Sequence, residues 1–222
     1  MIELLNTDSL EYMAKCPDKS FDLAICDVNY GIGEDGEKNH SRSNAAKAKE
    51  YTPKNWDKES VTKKMLDEII RVSKNQIIWG ANHFISKMPY DSSCWIIWNK
   101  LNGDNDFADC ELAWTSFNTA VRNFNFRWAG MLQGDMKNKQ QRIHPTEKPI
   151  QLYEWLISNY AKKGQSIIDT HLGSASIALA IHNANEKYDY KLNFVGCEID
   201  IEYYNDSINR YNLHISQKTL QF

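Results

Sequence analysis

Apolar residues along the chain fall into two alternating rhythms. The first is a set of short continuous runs: Leu23-Ala24-Ile25-Cys26 within Phe21–Cys26, Ile77-Ile78-Trp79 within Gln76–Gly80, Trp95-Ile96-Ile97-Trp98 within Cys94–Trp98, Ile167-Ile168 within Ser166–Ile168, and Phe194-Val195 within Lys191–Cys197. Runs of this length predict strands buried on both faces, as in parallel sheets. The second rhythm recurs every three or four positions. Met65, Ile69 and Val72, with Leu66 and Ile70 beside them, predict a helix over Val61–Val72, and Ile150–Tyr160 reads as an amphipathic helix. A helix from Gly173 to about Ala184 and another over Ile201–Asn212 each follow a strand. Met1–Asn6 reads as a short strand, Ser9–Lys15 as a helical turn that Pro17 ends, and Asn82–Met88 as a short helix before Pro89. Glu111–Phe117 reads as a further strand, and Asn123–Trp128 as a half-exposed one, because aromatics there alternate with polar residues. Strands alternating with helices predict an α/β, doubly wound sheet in a single domain, residues 1–222.

Two stretches break the pattern. Gly31–Ser60 holds only Ile32, Tyr51 and Trp56 as large apolar residues and carries Lys38, His40, Arg42, Lys47, Lys49 and Lys54. A segment this long without periodicity is either disordered or a functional loop. Gly134–Arg142 is also polar and basic, with Lys137, Lys139 and Arg142. The whole chain carries a net charge of -3, so a nucleic-acid partner would have to meet positive charge concentrated locally, and these two loops hold it. The five cysteines are odd in number and scattered, and no CxxC pair occurs, which argues against a disulfide framework and against a zinc site. No metal is expected. No apolar run is long enough to span a bilayer, and MIELLNTDSL lacks the basic start of a signal peptide, so a cytoplasmic protein without membrane contact is expected.

The candidate chemistry sits where strands end. LAIC closes on Asp27, SII on Asp169 and FVGC on Glu198. Open α/β sheets bind ligands beyond the carboxyl ends of their strands. Asp27 is followed by Tyr30 and two glycines, an acid and a ring suited to holding a nucleobase. Asp169–Ser176, DTHLGSAS, reads as acid, tight glycine turn and helix N-terminus, where Gly173 permits close approach of a ligand to free N–H groups. Neither GxGxxG nor GxxxxGK[ST] occurs, which disfavours a nicotinamide cofactor and a nucleoside triphosphate. Glu198 ends the next strand, where dinucleotide-binding folds place an acid on ribose hydroxyls. Together these elements suggest an adenosine-bearing ligand without a pyrophosphate.

The order DVNY, HPTEKP, DTHLGSAS, FVGCEID resembles the β class of S-adenosylmethionine-dependent DNA amino-methyltransferases over nearly the whole chain. In that class a catalytic D/S/N-P-P-Y motif precedes a cofactor motif of D-P-F-x-G-S-G-T type. The resemblance implies a class I methyltransferase (Rossmann-like) fold with a mostly parallel sheet in permuted order. It implies a catalytic set of Asp27, Val28, Asn29 and Tyr30: Asp27 and the Val28 carbonyl accept the target amine, and Tyr30 stacks on a flipped base. It implies S-adenosyl-L-methionine as cofactor. Asp169, Gly173 and Ser174 would lie along its methionine part, with Thr170, His171, Ala175, Ile199 and Asp27 also lining the site. Glu198 would take the ribose, Asp8 the adenine, and Thr146 and Lys148 the carboxylate. Double-stranded DNA would meet Lys38, Arg42, Lys47, Lys49 and Lys54 on loop 31–60, and Lys137, Lys139 and Arg142. Residues 81–143 would form a small target-recognition insertion, too small to count as a domain of its own. A homodimer is a further expectation, as is contact with a bacterial sliding clamp through the QxxLxF-like tail Gln217–Phe222.

Adenine N6 is the favoured target because Asp heads the catalytic motif. Cytosine N4 is an alternative, and so is a catalytically weakened DNA-binding relative. The second alternative arises because Val28-Asn29 replace two prolines that would stiffen the loop. Ala175 also stands where glycine is usual, and would be strained if φ must be positive there. His171 reads as a residue packing beside the cofactor, since amine methylation needs no histidine.

Overall fold

The computed structural model describes residues 1–33, 57–103, 108–129, 132–137, 143–144 and 146–218. Lys38, Arg42, Lys47, Lys49, Lys54, Lys139 and Arg142 lie outside the described residues, as do residues 219–222 of the clamp-like tail.

Ten strands and five α-helices are described. The strands are β1 (Ile2–Asn6), β2 (Phe21–Cys26), β3 (Ser73–Trp79), β4 (Ile96–Asn99), β5 (Cys110–Thr115), β6 (Arg122–Asn125), β7 (Trp128–Ala129), β8 (Leu132–Gln133), β9 (Ser166–Asp169) and β10 (Asn193–Glu198). The helices are α1 (Ser9–Met13), α2 (Lys63–Val72), α3 (Ile150–Tyr160), α4 (Ser176–Tyr188) and α5 (Ile201–Lys218). Eight strands form one sheet in the order β1-β10-β9-β2-β3-β5-β4-β6, and β7 and β8 pair as a separate ribbon. The five strands β1, β10, β9, β2 and β3 run parallel, β5 is antiparallel to both its neighbours, and β6 is parallel to β4.

The central fact of this topology is that β2 pairs with β9, with Leu23 opposite Ile167 and Ala24 opposite Ile168. Strands far apart in sequence are thus neighbours in space, and Asp27 and Asp169 emerge at the same edge of the sheet. The register also explains the apolar runs, because alternate residues of each strand face opposite layers. Leu23, Ile25, Ile77 and Trp79 pack under α3 and α4 against Leu152, Leu156, Ile177 and Ile181. Ala24, Cys26 and Ile78 pack on the other side against Met13, Leu66, Ile69 and Val72.

Several element boundaries differ from those predicted. β3 begins at Ser73, directly from α2, because pairing with β2 extends back through Phe21 opposite Ser73, beyond the apolar run. Residues 82–88 form two 3-10 turns, Ala81–His83 and Ile85–Lys87, after a left-handed Gly80. α4 continues to Tyr188, since its solvated last turn carries no apolar periodicity, and α5 continues to Lys218. Residues 217 and 218 are therefore helical, where an extended clamp-like tail is the expectation from sequence. Within the described part of 81–143, β4, β5 and β6 continue the main sheet, and the β7–β8 ribbon stands outside it.

Candidate active site

β2 delivers Asp27 to the sheet edge, where Tyr30 from the same loop and Lys148 from a distant part of the chain meet it. Lys148 Nζ lies 2.5 Å from Asp27 Oδ1 and the Tyr30 hydroxyl donates to the same oxygen at 2.8 Å. Lys148 Nζ also lies 3.0 Å from the Tyr30 hydroxyl and 2.9 Å from Glu111 Oε2. Glu111 is held in turn by Lys100, 2.6 Å from its Oε1. Among the described residues nothing donates to Asp27 Oδ2. One carboxylate oxygen is thus fixed and the other is open, on a side chain that retains 19% of its exposure.

The electrostatics follow from burying four ionisable groups together. Burial pushes the Asp27 carboxyl above its ordinary value; Lys148 opposes this and Glu111 adds to it. Burial alone would also raise Glu111, but Lys148 and Lys100 outweigh it and bring that carboxyl down to about 2. Lys148 loses to burial but gains more from Asp27 and Glu111, so its ammonium is held charged. Burial raises the Tyr30 phenol well above its usual range, aided by both acids, so it stays a donor. The Tyr30 ring stacks on His83 with centroids 5.3 Å apart and planes inclined by 16°. Gly80 makes room for that ring: a Cβ there would lie 2.1 Å from Tyr30 Cε1.

The neighbouring strand supplies the second half. Asp169 is 1% exposed, its Oδ1 accepts from His171 N at 3.0 Å, and its Oδ2 has no donor among the described residues. Burial, with Asp27 and Glu198 nearby, pushes its carboxyl up to about 8. His171 is half-buried and shares a 2.8 Å hydrogen bond through Nδ1 with Thr170 Oγ1; burial pushes it down to about 4, so it is neutral near pH 7. Gly173 has φ +51, and its N–H donates to Glu198 Oε2 at 2.9 Å. Glu198 Oε1 accepts from Asp200 N at 2.9 Å, and a carboxylate oxygen can accept more than one hydrogen bond. Ala175 is fully buried at φ 57 and ψ 22, so the left-handed conformation that glycine would take without strain is imposed on an alanine.

Arg210 of α5 ties the turn after β9 to Glu147. Arg210 donates to the Ser174 carbonyl at 2.8 Å and to Ser176 Oγ at 3.0 Å, and pairs with buried Glu147 of HPTEKP at 2.9 Å. Glu147 Oε2 accepts from Ile143 N at 2.9 Å and its carbonyl from Trp128 Nε1 at 2.7 Å. The Ser174–Ser176 turn and Glu147 of HPTEKP are thereby fixed to each other.

The predicted residues divide accordingly. Asp27, Tyr30 and Lys148 meet directly; sequence reasoning puts Lys148 at a cofactor carboxylate, and in the structure its ammonium lies on Asp27 and Glu111. Val28 is buried and Asn29 half-buried on the same loop. Asp169, Thr170, His171, Gly173, Ser174, Ala175 and Glu198 line the adjacent turn. Asp8 caps α1 through Oδ1, 2.7 Å from Leu10 N. Thr146 is exposed and bonds His144, Ile199 is 70% exposed, and Lys137 is exposed. Glu111, Lys100, Asp57 and Arg210 are not anticipated by sequence reasoning. Glu111 escapes it because β5 runs antiparallel, so its beginning, and not its end, lies at the edge that carries Asp27. No cluster of His, Cys, Asp and Glu among the described residues could hold a metal ion, and none of their helices is long and apolar enough to cross a membrane.

Two adjacent central strands that each end on an acid, one followed by a glycine turn into a helix, are the arrangement expected at the cofactor edge of a class I methyltransferase, and the solved structures that share the fold place it in that class. A family model of N6/N4-type DNA methylases matches residues 21–209, and the chain belongs to that DNA methylase family. Its fold is shared with M1.HpyAVI, at 17% identity over 96% of this chain and 99% of that one, with a TM-score of 0.57. It is also shared with TTHA0409, a putative DNA modification methylase of Thermus thermophilus solved with S-adenosyl-L-methionine. That match has 12% identity over 97% of this chain and 96% of that one, with a TM-score of 0.57. PvuII DNA methyltransferase, cytosine-N4-specific, matches at 12% identity over 95% of this chain and 86% of that one, with a TM-score of 0.58.

Proposed function

We propose that this DNA methyltransferase moves a methyl group from S-adenosyl-L-methionine to the N6 amine of an adenine flipped out of double-stranded DNA. The observation that carries the reading is the asymmetry of Asp27: Oδ1 is held by Lys148 and Tyr30, and Oδ2 is open. An exocyclic amine is a poor nucleophile because its lone pair is delocalised into the ring. Hydrogen bonds from that amine to Asp27 Oδ2 and to the Val28 carbonyl would favour a pyramidal nitrogen with a directed lone pair. The acid then stabilises the positive charge that develops on nitrogen and is placed to accept the proton the methylated amine gives up, while Lys148 and Tyr30 keep it in place.

The residues around the second strand end fit the cofactor. Asp169 offers a buried carboxyl with one open oxygen, and burial raises that carboxyl to about 8. Gly173 leaves its turn clear, since a Cβ there would meet no atom closer than 3.9 Å. Glu198 has acceptor chemistry suited to ribose hydroxyls. When bound, the cofactor supplies a methyl group on a sulfonium; Asp169, Ser174 and Glu198 would hold it with Asp27 alongside. Extruding the base costs a few kcal/mol, and stacking on Tyr30 would return roughly 1–3 kcal/mol. Lys137, and the basic residues of loop 31–60, are the proposed phosphate contacts.

Cytosine N4 offers the same amine chemistry, and the acid at the head of the loop is what favours adenine. Cofactor titration combined with methyl transfer to unmethylated DNA tests the reading. S-adenosylmethionine should bind to the parent and to Asp27→Ala alike, and only the parent should methylate. No cofactor binding by the parent, or full activity of Asp27→Ala, would refute it.

A further inference from the structure

The catalytic loop lacks the two prolines that would stiffen it, yet its backbone is held. Successive N–H groups from Tyr30 to Gly33 converge on one residue, Asp57. Tyr30 N and Gly31 N donate to Oδ1 at 2.9 and 2.8 Å, and Ile32 N to Oδ2 at 3.3 Å. Gly33 N donates to the Asp57 carbonyl at 3.1 Å. Successive N–H groups turned on one anion form a nest, and a left-handed residue gives it its curvature. Here Gly31 supplies that curvature at φ +76, and a Cβ there would come within 2.5 Å of Ser60 N.

The loop is pinned from the other side as well. Val61 N donates to the Asn29 carbonyl at 3.0 Å. Ser60 and Val61 are themselves held by Lys87 Nζ, at 2.7 Å from Ser60 Oγ and 2.8 Å from the Val61 carbonyl. Asp57 is only 2% exposed, and a carboxylate buried so far is tolerated because hydrogen bonds satisfy it. The hydrogen bonds from Tyr30, Gly31 and Ile32 bind that carboxylate to the loop that carries the tyrosine.

We propose that Asp57 is the positioning residue of the catalytic loop. It fixes the backbone after Tyr30 and so does the work of the missing prolines. The Tyr30 hydroxyl then stays on Asp27 Oδ1, and Oδ2 stays open to the substrate. Asp57 acts through the backbone and touches no substrate. The inference rests on reading Asp27–Tyr30 as the catalytic loop.

The test compares the full chain with Asp57→Ala, Asp57→Asn and Asp27→Ala, and adds Val28→Pro with Asn29→Pro in both the parent and Asp57→Ala. Neither 28 nor 29 has a positive φ that would bar proline. Asp57→Ala should lower kcat roughly 10–100-fold, the cost of misplacing a catalytic group by about 1 Å. Its S-adenosylmethionine affinity and circular dichroism should match the parent. Asp57→Asn keeps Oδ1 for Tyr30 and Gly31 and should lose less. The proline pair should raise kcat more in Asp57→Ala than in the parent. Parental kcat in Asp57→Ala beside an inactive Asp27→Ala overturns the positioning role alone. An active Asp27→Ala overturns the catalytic reading and the proposal with it. Equal losses of kcat and cofactor affinity also overturn it, since they would mark a general structural defect. If Asp57→Ala does not fold, Asp57→Asn decides: a lowered kcat restored by the prolines supports the proposal, and a parental kcat refutes it.

Discussion

Replacing Asp169 by Asn should stabilise the cofactor-free protein at alkaline pH while weakening cofactor binding. The Asp169 carboxyl is pushed from an ordinary 3.8 up to about 8, chiefly by burial, with Asp27 and Glu198 adding to it. Between those two values the native state holds a proton that the unfolded state has released. Stability therefore falls as pH rises from about 4 to about 8, by at most about 1.4 kcal/mol per pH unit. The ceiling on the total is about 6 kcal/mol, reached once the native carboxyl is ionised. Asn removes the titration and keeps the oxygen that His171 N–H needs at 3.0 Å. Chemical denaturation of both apo proteins at pH 5, 7 and 9 measures the effect. Relative to Asp, Asn should gain about 2 kcal/mol or more, and at most about 4 kcal/mol, between pH 5 and pH 9. Isothermal titration with S-adenosylmethionine should show weaker binding to the variant. A stability difference that does not change with pH would refute the buried, uncompensated acid.

Two further substitutions probe the geometry. Gly80→Ala would place a Cβ 2.1 Å from the Tyr30 ring at φ +74, so kcat should fall roughly 100-fold with cofactor affinity retained, read by steady-state kinetics and titration. Arg210→Met removes the tie between Ser174, Ser176 and Glu147, and should raise KM for the cofactor about tenfold with a smaller effect on kcat.

What the sequence made legible was what depends on neighbouring residues. The apolar runs marked the central strands, and the acids closing β2 and β9 marked the edge at which Asp27 and Asp169 emerge together. Ala175 in its left-handed conformation was foreseeable from the motif it departs from. Contacts made across the fold were not legible. Asp57 lies 27 residues beyond the Tyr30 N–H it accepts, and Arg210 lies 36 beyond Ser174. No periodicity links such positions. The contact of Lys148 with Asp27, 121 residues apart, was hidden for the same reason. The end of α4 at Tyr188 lay beyond the predicted one because a solvated turn has no buried stripe.

The most direct test of the central claim is expression of the chain, and of Asp27→Ala, in a host without DNA methylation, followed by sequencing that reads modified bases. N6-methyladenine in a recurring sequence context with the parent, and none with Asp27→Ala, is the predicted result. Unmodified DNA from the parent, or N4-methylcytosine in place of methyladenine, would contradict it.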